Sequence, residues 1–341
     1  MLHPDEVLQQ SKAAFGQWEG QWREHARING KKYKEDGRSQ QDLIYIGAGK
    51  TLVCAANGSS LEDHIDTIKK YKNDSVDIIC CDKTFGVLLK QGIKPNYVVV
   101  ADANVGYKEW LEPWIDETRD VILFASICAN PEWTLNWKGP VYFYVNKDNI
   151  ESEKIFSEIS GCHEFIPASS NVGNTVVVFS VQILGYDEYL LIGYDFAWGD
   201  SDNYYAFDDR ETPTIKRHWM KHAHGVDMRG EVVNTSQNLI FSSRWLSDYF
   251  IGMTQQMNIR LYYCSGRGIL NMATANFERK LKAAKQRQLT NDEQNLIIKK
   301  HIKQQVITPQ MGNAALNEAL KRKVTEIIVK YIPESIGEIR C

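Results

Sequence analysis

The stretch that decides the fold is Thr51–Tyr71, "TLVCAANGSSLEDHIDTIKKY". Its first residues, Thr51 to Ala56, form a short apolar run without polar alternation, as in a strand buried on both faces. Asn57-Gly58-Ser59-Ser60 then breaks the run. From there Leu61, Ile65 and Ile68 recur at a spacing of three and four, which predicts a helix to Tyr71. The glycine is nearly alone, so the turn is neither G-x-G-x-x-G nor a Walker loop. A strand end followed by a helix start leaves backbone N–H groups pointing outward, where they attract phosphate, and Ser59 or Ser60 can cap the helix. A plain capped turn explains the same residues equally well.

Working outward, short β-rich runs recur at Val76–Cys81, Tyr97–Ala101, Val121–Ser126, Val141–Val145, Tyr189–Gly193 and Arg260–Cys264. Between them lie helical patterns: Phe85–Gln91, the almost wholly apolar Thr175–Leu184, and the amphipathic Asn238–Gln256. Apolar strands alternating with helices predict an α/β, Rossmann-like domain: a mainly parallel sheet with helices on both faces. In such sheets ligands bind beyond the carboxyl ends of the strands. This domain is expected over residues 43–272, with a lid at about 197–236. Residues 1–42 form an N-terminal helical extension, in which "DEVLQQSKAAFGQWEGQWREHARI" is helix-compatible and "NGKKYKEDGRSQQD" is a charged loop. Residues 273–341 form a basic C-terminal helical extension with interleaved acids, a solvated cap or a surface for a homo-oligomer.

A net charge of −3 and a pI near 6.3 argue against nucleic-acid binding by bulk positive charge. The aromatic share of 11% suits a folded core with aromatic-lined clefts. Several of the seven cysteines sit inside apolar runs such as "LVCAA" and "DIICCD", and none forms a C-x-x-C pair. That pattern fits buried thiols in a reducing cytosol. No signal peptide is evident at Met1, and no apolar segment approaches the roughly 18 residues needed to span a membrane. The expected location is cytoplasmic.

Three strand ends carry acids. Asp82 and Asp102 close "DIICCD" and "YVVVAD", and Asp195 follows in "GYDF". Such a carboxylate suits a ribose hydroxyl, a metal-bound water or a substrate donor, or it caps the next turn. Ser169, Ser170, Gly173, Asn174 and Thr175 form a small polar loop entering an apolar helix, a second candidate anion site. The segment from Trp198 to Gly230 is rich in aromatics and histidines, including Tyr204, Tyr205, His218, His222 and His224. It reads as a lid. The His-x-His pair has no third ligand at supporting spacing, so a histidine acting as acid or base is more economical than a metal.

These pieces, in this order, resemble the MptE-like family, named for an archaeal 6-hydroxymethylpterin diphosphokinase and shared by the motility accessory factors of flagellin glycosylation. The resemblance rests on "CAANGSSLEDHIDTIKKY" and "GVLLKQGIKPNYVVVAD", with Ser59 in place of the family's Pro and Asn96 in place of its Asp. "ILGYDEYLLIGYDFAWGDSDNYYAFD" is similar to bacterial CMP-sialic-acid-dependent sialyltransferases, and His222-Ala223-His224-Gly225 fits a His-Ala-x-Gly segment of the motility accessory factors.

The resemblance implies a glycosyltransferase that moves a nonulosonic, sialic-acid-like sugar from a CMP-sugar to a hydroxyl of a protein, glycan or small molecule, with no cofactor. It places the nucleotide on Asn57, Gly58, Ser59, Ser60, Ser170, Gly173, Asn174 and Thr175, with Asp82, Asp102 and Asp195 nearby. Tyr204 and Tyr205 would steady the leaving phosphate. His222 would be the base, with His224 beside it. The sialyltransferases carry Asn where this chain has Asp82 and Asp102. That departure keeps open a Mg²⁺-dependent diphosphokinase, with Asp82, Asp102 and Asp195 around the metal, ATP as donor and a hydroxymethylpterin-like acceptor. A third alternative is a non-catalytic nucleotide-binding or assembly protein.

Overall fold

The computed structural model describes residues 4–270 except 73–74, 148–149, 168, 200–204, 208–221, 228–230, 257–258 and 265–266. Tyr204, His218 and the whole 273–341 extension lie outside the described residues. The chain runs through α1 (Pro4–Asp36), β1 (Thr51–Ala55), a 3-10 turn (Ser59–His64), α2 (Ile65–Tyr71), β2 (Val76–Cys81), α3 (Asp82–Lys90) and β3 (Tyr97–Val100). It continues with α4 (Tyr107–Trp110), β4 (Ile122–Ser126), α5 (Pro131–Asn136), β5 (Val141–Lys147), α6 (Ile150–Ser160), β6 (Phe165–Pro167) and α7 (Val172–Phe179). Last come β7 (Glu188–Ile192), β8 (His222–Val226), β9 (Val232–Ser236), α8 (Gln237–Gln256) and β10 (Arg260–Tyr263).

Parallel strands with helices around them make the Rossmann-like α/β arrangement that the alternation predicts. Every side chain of β1, β2, β3 and β7 is buried, which is why these strands read as unbroken apolar runs.

The chain divides into two compact units. In the first, Met1–Ala55 with Asp77–Tyr186, the strand order is β1-β2-β3-β4-β5-β6. Neighbours from β2 to β6 pair in parallel. Phe124 of β4 stacks on Phe179 of α7 with ring centroids 4.3 Å apart, and Tyr144 of β5 meets Phe179 edge-on at 4.9 Å. Helix α7 passes into a single π turn, Ser180–Leu184, which ends at Gly185 in the left-handed conformation. In the second unit, Ala56–Val76 with Asp187–Cys341, β7 pairs in parallel with β10, and β8 forms an antiparallel ladder with β9. This hairpin lies in the span expected to be a lid.

All six described cysteines, Cys54, Cys80, Cys81, Cys128, Cys162 and Cys264, are buried and free of disulfides. No described helix is long and apolar enough to cross a membrane.

One expectation is corrected. The segment from Asn29 onward is not a charged loop, because α1 runs through Asn29-Gly30 to Asp36. Asn-Gly is a turn signal when its polar groups are solvated. Here the Asn29 side chain is buried and donates to the Ile127 and Ala129 carbonyls, each at 3.0 Å. Gly30 is the point where α1 meets α6: a Cβ there would lie 2.6 Å from the Ser160 Cα. Tertiary packing thus overrides the local turn preference.

Gly30→Ala is expected to destabilise the protein by roughly 1–3 kcal/mol in denaturant unfolding, although alanine is the better helix former, because the added methyl meets backbone that cannot move aside cheaply.

Candidate functional site

The turn Asn57–Ser60 belongs to the second unit and is built against the end of β7. Ala56 N–H donates to the Ile192 carbonyl at 2.9 Å, and Gly58 N–H to the Gly193 carbonyl at 3.0 Å. A Cβ on Gly58 would sit 2.5 Å from the Gly193 carbonyl oxygen and 2.7 Å from the Asp195 Oδ2, so only glycine fits. The Asp195 carboxylate, 2% exposed, receives the Ser60 N–H at 2.8 Å, the Ser60 hydroxyl at 2.5 Å and the Ser59 hydroxyl at 3.3 Å. The two serines therefore bind Asp195 and do not cap a helix. The 3-10 turn that follows has Gly58 as its N-cap and no side-chain cap bond.

Asn57 differs from its neighbours. Its side chain is 9% exposed, and neither Oδ1 nor Nδ2 has a hydrogen-bond partner among the described residues. Its backbone carbonyl accepts from Ala206 N–H at 3.0 Å, and Phe207 N–H donates to Glu62 Oε1 at 2.6 Å. These bonds tie Tyr205–Phe207 to the turn, with Tyr205 half-buried.

The β8–β9 hairpin is fastened to the same strand end. Trp198 N–H donates to the Asn234 carbonyl at 2.9 Å, and the Thr235 hydroxyl to the Phe196 carbonyl at 2.6 Å. Across the ladder His224 faces Asn234 and His222 faces Ser236; the His224 side chain is exposed. The second unit thus gathers Asn57, Gly58, Ser59, Ser60, Asp195, Tyr205 and the His222–His224 strand. In the same unit His64 is 1% exposed with Nδ1 unpartnered among the described residues. Burial pushes its imidazole down to about 4, against a hydrogen bond to the Cys264 backbone.

The first unit holds the remaining candidates. Asp82 opens α3, is 2% exposed, and accepts Lys83 N–H on Oδ1 at 2.6 Å. Burial pushes its carboxyl up to about 6; Lys83 opposes that shift and Asp102 adds to it. Asp102 is exposed, and its Oδ1 accepts Asn104 N–H at 2.8 Å. The second oxygen of each carboxylate makes no hydrogen bond among the described residues.

At the start of α7 the polar side chains largely bind one another. Asn171 Oδ1 caps Asn174 N–H at 2.9 Å, Asn174 Nδ2 donates to Ser170 Oγ at 2.8 Å, and the Ser169 and Thr175 hydroxyls lie 2.5 Å apart. Gly173, Asn174 and Thr175 are buried and Ser170 is half-buried. Among the described residues no group of three His, Cys, Asp or Glu side chains is arranged to hold a metal ion.

Residues 27–201 match the family model described as 6-hydroxymethylpterin diphosphokinase MptE-like. The chain belongs to the MptE-like family. Among solved structures it is similar to the MAf glycosyltransferase from Magnetospirillum magneticum AMB-1, at 20% identity and a TM-score of 0.54. That likeness covers 73% of this chain and 37% of the other, and at this identity it is a likeness of fold. No curated protein matches the chain.

Three participants in this MptE-like chain escape a sequence reading. Asn171 caps α7, and an Asn before an apolar run is the signal that reveals such a cap. Phe207 sits on Glu62 through its backbone, and His64 is buried through tertiary packing. Neither leaves a local signature.

Asp82 yields a pH prediction. Folding raises its pKa from the usual 3.8 to about 6, so the folded state holds the proton more firmly than the unfolded chain. The resulting stability is complete below pH 3.8 and is lost as pH rises through 6. Asp82→Asn is expected to stabilise the protein by up to about 3 kcal/mol at pH 8 and by little at pH 4, read from denaturant midpoints at the two pH values.

Proposed function

We propose that the protein is a nucleotide-dependent transferase that moves a nonulosonic, sialic-acid-like sugar from a CMP-sugar to a hydroxyl acceptor. The observation that carries the reading is the Asn57 carboxamide. Leaving buried donors and acceptors unpaired costs about 1–3 kcal/mol each, and native proteins rarely keep them without a purpose. A ligand presenting a complementary donor and acceptor, as a nucleotide does, completes this site. A solved structure that shares the fold is that of a glycosyltransferase, which supports the transferase class.

In this reading the nucleotide rests on the Asn57–Ser60 turn, and Tyr205, with Tyr204, steadies its phosphate. His222 takes the proton of the acceptor hydroxyl as that oxygen attacks the anomeric carbon. The bond from that carbon to the CMP phosphate breaks, and CMP leaves with the electron pair. His224, beside His222 on β8, is the second candidate for the base.

A second reading, a diphosphokinase acting from ATP on a hydroxymethylpterin-like acceptor, has its own support in the family description and in the second carboxylate oxygens of Asp82 and Asp102. Those two carboxylates fit Mg²⁺, which would neutralise charge on the transferring phosphates. Asp195 fits it poorly, because its oxygens are already taken by Ser59 and Ser60.

Thermal-shift measurements with CMP, CTP, ATP and GTP, with and without Mg²⁺, separate these readings. Saturating CMP is expected to raise the Tm by a few degrees without metal, and Asn57→Ala to abolish the rise. A shift with ATP that requires Mg²⁺, and none with CMP, would replace the first reading by the second. No shift with any nucleotide would favour a non-catalytic assembly protein.

A further inference from the structure

Helix α1 extends well outside the matched family segment, which begins at residue 27. Gln21, His25, Asn29 and Tyr33 recur every four residues along it, so they form one stripe. The stripe runs along the loops that follow β3 and β4 in the same unit. Gln21 Nε2 donates to Asn104 Oδ1 at 2.9 Å, and His25 Nδ1 lies 3.2 Å from the Cys128 carbonyl. Asn29, fully buried, holds the Ile127 and Ala129 carbonyls and accepts the Thr134 hydroxyl at 2.6 Å. Tyr33 meets Phe143 edge-on at 6.3 Å.

Two routes lead from this stripe to Asp102. The direct one is Gln21 to Asn104, whose own N–H binds the Asp102 carboxylate. The indirect one passes through the Asn29-bound loop to Asn130, whose N–H reaches the Asp102 carbonyl at 3.3 Å and whose Nδ2 reaches the Val105 carbonyl at 2.9 Å. A plain packing helix would use apolar side chains for this contact. Helix α1 does so on another face, where Phe15 and Trp22 pack on Phe156. The polar stripe is spent on three backbone carbonyls and the side chains of Asn104 and Thr134, in and next to the loops at the carboxyl ends of parallel strands, where α/β sheets bind ligands.

We propose that α1 is a positioning element for the turn that carries Asp102, with Gln21 its adjustable contact and Asn29 its anchor. The proposal rests on the second reading above only in taking Asp102 as a residue that faces substrate. The geometry of the turn itself is independent of that reading.

The test compares hydrogen exchange at residues 101–106 in the full chain for wild type, Gln21→Ala, Asn104→Ala, the double variant and Asn104→Asp. Gln21 is half-buried and its bond to Asn104 is exposed, so these variants are expected to keep the wild-type Tm. Each alanine variant is expected to speed exchange about 2- to 10-fold, the worth of one hydrogen bond. The double variant should exchange no faster than either single one, because both remove the same contact. Asn104→Asp keeps an acceptor for the Gln21 amide and should restore slow exchange, a rescue that a merely bulky filler would not show. Unchanged exchange in both single variants, or additive effects, would overturn the proposal. Calorimetric titration of the same proteins with CMP and with Mg-ATP then asks whether the turn matters for binding. Failure of the wild type to bind either probe would sink the transferase reading, while the exchange data would still decide the positioning.

Discussion

The end of β7 depends on one buried carboxylate. Asp195 is 2% exposed and satisfies a backbone N–H and two serine hydroxyls of the Asn57–Ser60 turn. A buried charge is tolerated only when it is hydrogen-bonded in this way. The constraint acts in both directions. Asp195 needs those donors, and the turn can supply them only if its backbone lies against Gly193, which is why Gly58 carries no side chain. The Asp195 carbonyl in turn accepts from Ile269 N–H at 2.7 Å, and the neighbouring Phe196 and Trp198 hold β9. Strand end, turn and hairpin therefore form a single hydrogen-bonded frame.

Asn57 sits in the same turn, with Asp195 fully engaged nearby, yet its own amide is unpaired among the described residues. Asp82 and Asp102 each leave one oxygen without a hydrogen bond there, and Asp82 remains at a cost that rises with pH. Asp77 in the first unit is bound through one oxygen, Oδ2, which takes two partners. It pairs with Lys50 at 3.1 Å and accepts the Tyr186 hydroxyl at 2.5 Å, and Tyr186 contacts Tyr97. The buried acids thus differ in how their charge is met: Asp77 has a lysine beside it, whereas burial pushes the Asp82 carboxyl up to about 6, and a carboxyl so perturbed marks where chemistry is expected.

Much of the sheet is legible in the sequence because its strands are buried on both faces. Runs such as "DIICC" and "YVVV" announce themselves without context, and their ends fall within a residue or so of expectation. The strands β8 and β9 do not, because "HAHGV" mixes histidine and glycine into a ladder held by its partner strand. The continuation of α1 is hidden for a related reason: Asn29-Gly30 signals a turn until Ile127, Ala129, Thr134 and Ser160 are brought to it. For the candidate site, the acids and the polar turns can be named from the sequence. Which acid is structural and which amide is orphaned cannot, since both depend on partners well over a hundred residues away.

The central claim is that the Asn57 carboxamide is kept for a nucleotide. A high-resolution crystal structure of the protein with bound CMP tests it most directly. The account predicts a CMP atom within about 3.2 Å of Asn57 Oδ1 or Nδ2, with the Ser59, Ser60 and Asp195 bonds unchanged. CMP bound away from Asn57, or an Asn57 amide bonded to protein groups or ordered water with no nucleotide beside it, would contradict it.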